Sequence, residues 1–216
     1  MSTASDANQP PLPPALPGFQ HIKRAWNDSL GIYSARIHPG EYYVTKSDEA
    51  VMTTLGSCIA ACVRDRVSGV GGMNHFLLPS TDSGAADTSA VTGLGASTRY
   101  GNFAMEHLIN GILRTGGRRE NLEAKIFGGG RIMAKMTDIG QRNIQFVREY
   151  LRFERVKLVA EDVGDIFPRM TVFFPATGEA KVKRLRSLHN NMIATVEGRY
   201  VDSLASKPVA GDIELF

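Results

Sequence analysis

Two apolar runs, residues 58–63 and 70–78, flank a polar stretch, Arg64-Asp65-Arg66-Val67-Ser68-Gly69, that ends in glycine. Runs this short, bounded by turn residues, read as buried strands joined in a β-hairpin rather than as helices. The chain must therefore build a sheet and cover it. Tyr42-Tyr43-Val44, after the turn signal His38-Pro39-Gly40, reads as a further strand, and so do residues 51–55. Residues 124–127 continue the pattern into Gly128-Gly129-Gly130; 156–160, 170–174 and 180–185 extend it, the last two joined by a turn at Thr177-Gly178. Helical spacing shows in Phe103, Leu108, Ile109, Ile112 and Leu113, stopped by Gly116-Gly117, and again in Ile144, Val147, Tyr150 and Leu151. The predicted fold class is α/β or α+β, strand-rich mixed sheets with at least two covering helices.

At 216 residues and 43% hydrophobic content the chain supports one substantial core. Its body is expected over 19–186, after a flexible Pro-rich extension (1–18) and before a loosely held tail (187–216), where the apolar pattern weakens. The stretch 80–98, rich in Ser, Thr, Gly and Ala, reads as a surface loop that could border a site. Basic residues number 25 against 22 acids, and a dispersed net charge of +3 is too small for a nucleic-acid binder. No apolar run approaches the roughly 18 residues that a membrane span needs. The Pro-rich start also lacks the basic and apolar regions of a signal peptide, so a cytoplasmic protein that is not membrane-inserted is expected. Cys58 and Cys62 lie four apart in one apolar segment, where a structural disulfide is not expected in a reducing compartment. The histidines His21, His38, His75, His107 and His189 are scattered singly, and neither a metal nor a cofactor is expected.

A thiol becomes a nucleophile only as thiolate, so it needs a base, and its attack on a carbonyl creates an oxyanion that needs donors. A hairpin loop centred on Arg66 and Val67 sets Cys58 directly opposite His75, where Cβ atoms lie roughly 4.5–5.5 Å apart. A slip of one residue would separate them onto opposite faces. Gly56 and Ser57, just before the cysteine, permit a close backbone approach with amides turned to a substrate oxyanion. Thr53 or Thr54 can fix the second imidazole nitrogen. On composition alone Cys58 and His75 fit a packed core better than a catalytic site, and Cys62, with no base opposite, fits the core only. The triple glycine fits a turn with no room for side chains; a phosphate cradle would want a following GK[ST], which is missing. Arg142-Asn143 and Glu161-Asp162 read as helix-start and strand-end contacts or as the lining of a cleft.

The runs Thr54-Leu55-Gly56-Ser57-Cys58-Ile59-Ala60-Ala61-Cys62 and Gly71-Gly72-Met73-Asn74-His75-Phe76-Leu77-Leu78-Pro79 strongly resemble the chemoreceptor glutamine deamidase family, CheD. Lys125-Ile126-Phe127-Gly128-Gly129-Gly130, Ile139-Gly140-Gln141-Arg142-Asn143 and Ala160-Glu161-Asp162-Val163-Gly164 are similar to that family's later motifs, in the same order. The likeness spans roughly residues 38–185. It implies a three-layered α/β fold and a Cys-His-Thr set: Cys58, His75 and, five residues before the cysteine, Thr53, with Thr54 in reserve. It also implies deamidation of glutamines on methyl-accepting chemotaxis receptors through a Cys58 thioester, and hydrolysis of glutamyl methyl esters by the same route. Two rivals share these residues. One is a non-catalytic module that binds receptors or a CheC-like phosphatase; the other is a cysteine peptidase or transglutaminase.

Overall fold

The structure, a computed structural model, describes residues 9–78, 96–132, 139–185 and 190–206. Ten strands in these residues form two five-stranded sheets. The first sheet, in the order β1-β2-β4-β9-β10, comprises β1 (Lys23–Asn27), β2 (Ile32–Arg36), β4 (Ala50–Leu55), β9 (Arg169–Phe173) and β10 (Ala180–Arg184). The second, in the order β3-β6-β5-β7-β8, comprises β3 (Tyr42–Thr45), β6 (Gly71–Asn74), β5 (Ile59–Asp65), β7 (Leu122–Gly128) and β8 (Lys157–Val163). Both are mixed, each with one parallel pair, β2 with β4 and β7 with β8. Helices α1 (Ala96–Arg114) and α2 (Ile139–Phe153) cover the second sheet. Sheet, sheet and helix pair thus make three layers, and one continuous core joins them, with Val51, Leu55 and Phe173 from the first sheet, Ile59, Ala61 and Ile126 from the second, and Leu108, Ile112 and Val147 from the helices. The fold class is α+β, as expected.

The predicted strands appear at their expected places, while β1 and β2 were not anticipated. Both pair antiparallel at one side of the first sheet and carry half-exposed polar residues, so neither presents an unbroken apolar run. The helix of residues 103–113 forms as α1, but Phe103 is exposed and stacks on His107, and Met105 fills the buried stripe beside Leu108, Ile109 and Ile112. The loop expected over 80–98 lies outside the described residues up to 95, and α1 has already begun at Ala96. The Pro-rich stretch from 9 to 18 runs along the body: Tyr33 Oη donates to the Pro10 carbonyl, Arg24 to the Pro13 carbonyl, and Ala15 and Leu16 pack on the core.

Where a loosely held tail was expected, the structure has a third helix, α3 (Asn190–Ser206). Its sequence signal is weak because its apolar residues do not form one buried stripe; Met192 and Val196 are exposed, whereas Tyr200 and Val201 touch the core. Among the described side chains of this helix the fully buried one is charged: Glu197. Among the described residues no helix is long and apolar enough to cross a membrane.

Candidate active site

Strand β4 belongs to the first sheet and β5 to the second, so the chain crosses between layers in three residues, Gly56, Ser57 and Cys58. A crossing this short leaves its peptide groups unpaired by either ladder, and buried peptide groups must find partners elsewhere. All three carbonyls are tied from behind. Gly56 O accepts from Gly130 N at 2.7 Å, Cys58 O from Gly129 N at 2.7 Å, and Ser57 O from Asn143 Nδ2 at 2.9 Å. Asn143 Oδ1 in turn accepts from Leu78 N, which locks α2, the crossing and the segment after His75 together. Gly128, with φ 107°, sits so close that a Cβ there would collide with the Cys58 carbonyl. The triple glycine is therefore a turn with no room for side chains, and its purpose is to back the cysteine.

With the carbonyls held behind, the three amides face forward and converge, a backbone nest that suits an anion. Glu197 from α3 occupies it. Its Oε1 accepts from Gly56 N at 2.7 Å and Cys58 N at 3.2 Å; its Oε2 accepts from Ser57 N at 2.8 Å and Ser57 Oγ at 2.6 Å. Gly56 is required here, since a Cβ would strike Ile132 Cδ1 and lie 2.9 Å from Glu197 Oε2.

The histidine arrives by the hairpin, although in a register different from the expected one. Cys62 pairs with Met73 and Ile59 bridges Phe76, which centres the turn at Val67 and Ser68, one residue later than predicted. Cys58 is thus level with Leu77, and His75 lies diagonally across, two residues along. A shift of two preserves strand parity, so both side chains still share one face. The backbone of His75 is held on its other side, its N–H donating to Glu41 O and its C=O accepting from Gly40 N.

Thr53 fixes the ring. Its hydroxyl donates to Ile37 O at 2.8 Å and lies 2.7 Å from His75 Nδ1. One hydroxyl carries one proton, so towards the imidazole Thr53 accepts, and Nδ1 bears the hydrogen. Nε2 is then the lone-pair nitrogen; it is buried with no hydrogen-bond partner among the described residues. Thr54, the next residue along β4, projects to the opposite strand face, away from this contact. The structure thus brings together Cys58, His75, Thr53, Gly56 and Ser57, and leaves Thr54 out. Sγ of Cys58, a ring nitrogen of His75 and a carboxylate oxygen of Glu197 lie within 4.8 Å of one another. Such a trio could hold a cation, but this carboxylate is already engaged by four donors.

Both groups are neutral in this arrangement. Burial pushes the Cys58 thiol well above its ordinary range, helped by the charge of Glu197 and a hydrogen bond to it. Burial, with a smaller contribution from His38, holds the His75 imidazole down at about 3. Cys62 is a free, buried thiol raised by the same desolvation; it belongs to the core.

Sequence reasoning missed Glu197 and the work of Asn143. Glu197 is 139 residues from Cys58, and no spacing rule connects them. Asn143 was noticed as polar between apolar segments, and the signal that could have raised it is its place on the buried face of α2, where an amide must be satisfied. Arg169, fully buried, pairs with Asp162, and Arg148 pairs with Glu161, so the second noticed pair makes strand-end contacts.

Residues 77–184 match the family model CheD, described as CheD chemotactic sensory transduction; the match begins just after His75. Over the whole chain, the protein is 47% identical to a protein of Hahella chejuensis named "Probable chemoreceptor glutamine deamidase CheD", with full coverage of both. A protein of the same name from Hydrogenovibrio crunogenus is 52% identical over 90% of this chain and all of its own length, and one from Halorhodospira halophila is 47% identical over 95% and 94%. Identity at this level, over almost the entire length of each relative, goes with the crossing-loop cysteine and its imidazole: the chain belongs to the CheD family.

Proposed function

We propose that this protein is a protein-glutamine glutaminase, a hydrolase that converts specific glutamines on the cytoplasmic helical bundle of methyl-accepting chemotaxis receptors to glutamates. The relatives' shared name supports the substrate. The observation that supports the chemistry is the setting of His75: Thr53 holds Nδ1 at 2.7 Å, which leaves the lone pair on the buried Nε2, and a ring nitrogen of this imidazole lies within 4.8 Å of Cys58 Sγ.

From that geometry the steps follow. His75 Nε2 takes the thiol proton as Sγ attacks the glutamine Cδ, and the carbonyl oxygen becomes an oxyanion in the nest of Gly56, Ser57 and Cys58 amides. The C–N bond breaks, His75 returns the proton, and ammonia leaves a thioester. Water then attacks, its proton going to His75, the C–S bond breaks, and glutamate and free thiol are restored. A glutamyl methyl ester would follow the same path with methanol as leaving group. The protein works in the cytoplasm, where the receptor bundles lie.

Incubation with receptor fragments should give a mass gain of about one dalton per converted glutamine and release of ammonia, both lost in Cys58→Ala. Undiminished conversion by that variant would overturn the mechanism. Binding without mass change would point to the module that docks receptors or a CheC-like phosphatase, and cleaved or cross-linked products to a peptidase or transglutaminase.

A further inference from the structure

Glu197 has no place in the mechanism above, yet it sits where the mechanism needs an oxygen. The three backbone amides and Ser57 Oγ that meet its carboxylate are the donors an oxyanion would use, and Cys58 Sγ and a His75 nitrogen are within 4.8 Å. Its side chain is the reaction's product, a glutamate carboxyl group. Burial of apolar surface alone does not explain its position: Tyr200 and Val201 touch the core, yet α3 exposes Met192 and Val196 while the charged Glu197 is 2% exposed. A carboxylate leaves water at such a cost only where donors replace its hydration, and here four do.

We propose that the amide nest at Gly56–Cys58 is a binding site for a side-chain carboxylate and that α3 is its intramolecular ligand, a product mimic that closes the active site until a receptor helix displaces it. The identification of the nest with the substrate pocket rests on the deamidase reading; the closure itself does not. While Glu197 is seated, a receptor glutamine has no access to the oxyanion donors. The negative charge beside the sulfur also keeps the thiol protonated, so the closed form is silent in binding and in chemistry alike. Substrate affinity is then reduced by the fraction of molecules that are open.

Two substitutions in the full-length chain test this. Glu197→Ala should raise the rate of Cys58 alkylation by iodoacetamide on the order of tenfold, and kcat/KM on receptor fragments similarly. Glu197→Gln should make the helix a substrate: Sγ attacks Cδ of the introduced carboxamide, ammonia leaves, water hydrolyses the thioester, and the peptide containing residue 197 gains about one dalton, returning to the natural sequence. The gain should vanish when Cys58→Ala is added. An alkylation rate equal to wild type in Glu197→Ala overturns the closure, whatever the receptor assay shows. Receptor fragments converted while the carboxamide at position 197 persists overturn the product-mimic identity and leave the deamidase reading intact. Failure of every variant to convert either substrate, with alkylation still accelerated in Glu197→Ala, overturns the deamidase reading and keeps the closure. Circular dichroism melts establish that both variants are folded.

Discussion

The crossing Gly56–Cys58 has a back and a front, and the two are built differently. Behind it, each carbonyl is tied to the body of the fold: Gly129 and Gly130 extend from the end of β7, and Asn143 is buried on α2. In front, each amide is tied to one side chain, Glu197 of α3. Breaking the back would mean unpicking the core, whereas breaking the front needs one side chain to withdraw. The nest is therefore permanent and its occupant is removable. That is the division a site needs if its donors are to be aimed before the substrate arrives.

The strongest way to break the comparison is to disable the groups the back exists to position. His75→Ala should lower kcat on receptor fragments by about a thousandfold, because it removes the imidazole that takes the thiol proton, while the melting temperature changes little beyond the cost of a small cavity. A second experiment uses the burial of that ring. The unfolded imidazole takes a proton near pH 6.5, the folded one only near about 3, so the unfolded state binds more protons across that window. Stability should be steady above pH 6.5 and fall as pH drops towards 3; urea midpoints from pH 7 to pH 4 should show the slope in wild type and lose it in His75→Gln.

Asn143→Ala sharpens the contrast between back and front. It strands Ser57 O and Leu78 N, both buried, and should cost about 2–4 kcal/mol in urea unfolding, whereas loss of the Glu197 side chain leaves amides that water can reach once α3 lifts. Thr53→Val keeps the shape but orphans Nδ1–H, and kcat should fall by about 10- to 100-fold with KM nearly constant, with Thr53→Ser restoring most of it. The smallest effect belongs to the front. Ser57→Ala removes one of the four donors to Glu197, worth about 1 kcal/mol, and should speed Cys58 alkylation by about fivefold. If Ser57→Ala destabilised the fold as much as Asn143→Ala, the two sides would not differ in kind.

How much of this was legible depended on whether neighbours in space were neighbours in pattern. Strands β5 and β7 of the second sheet are largely buried, so their apolar runs announced them, and β1 and β2, half-wet and polar, did not. Cys58 and His75 could be placed on one face because parity survives an even slip, although the turn lies one residue further on than the polar stretch suggested. The role of Gly128-Gly129-Gly130 was half visible: lack of room was read correctly, but what stood so close could not be. Glu197 was invisible because a helix anchored by a polar contact writes no hydrophobic stripe, and hydropathy is nearly all that one sequence offers at a distance of 139 residues.

The identity of residue 197 has an evolutionary consequence. Glutamate and glutamine codons differ by one base, so a single mutation exchanges them at that position. In most proteins, such a change in a charged plug would be inherited as a defect. Here the residue is held against the nucleophile that erases the difference, so a gene encoding glutamine would still yield, after one round of chemistry, a protein carrying glutamate. Selection would then see the two alleles as one, and at this site the genome records the catalytic history of the residue less faithfully than the mature chain does.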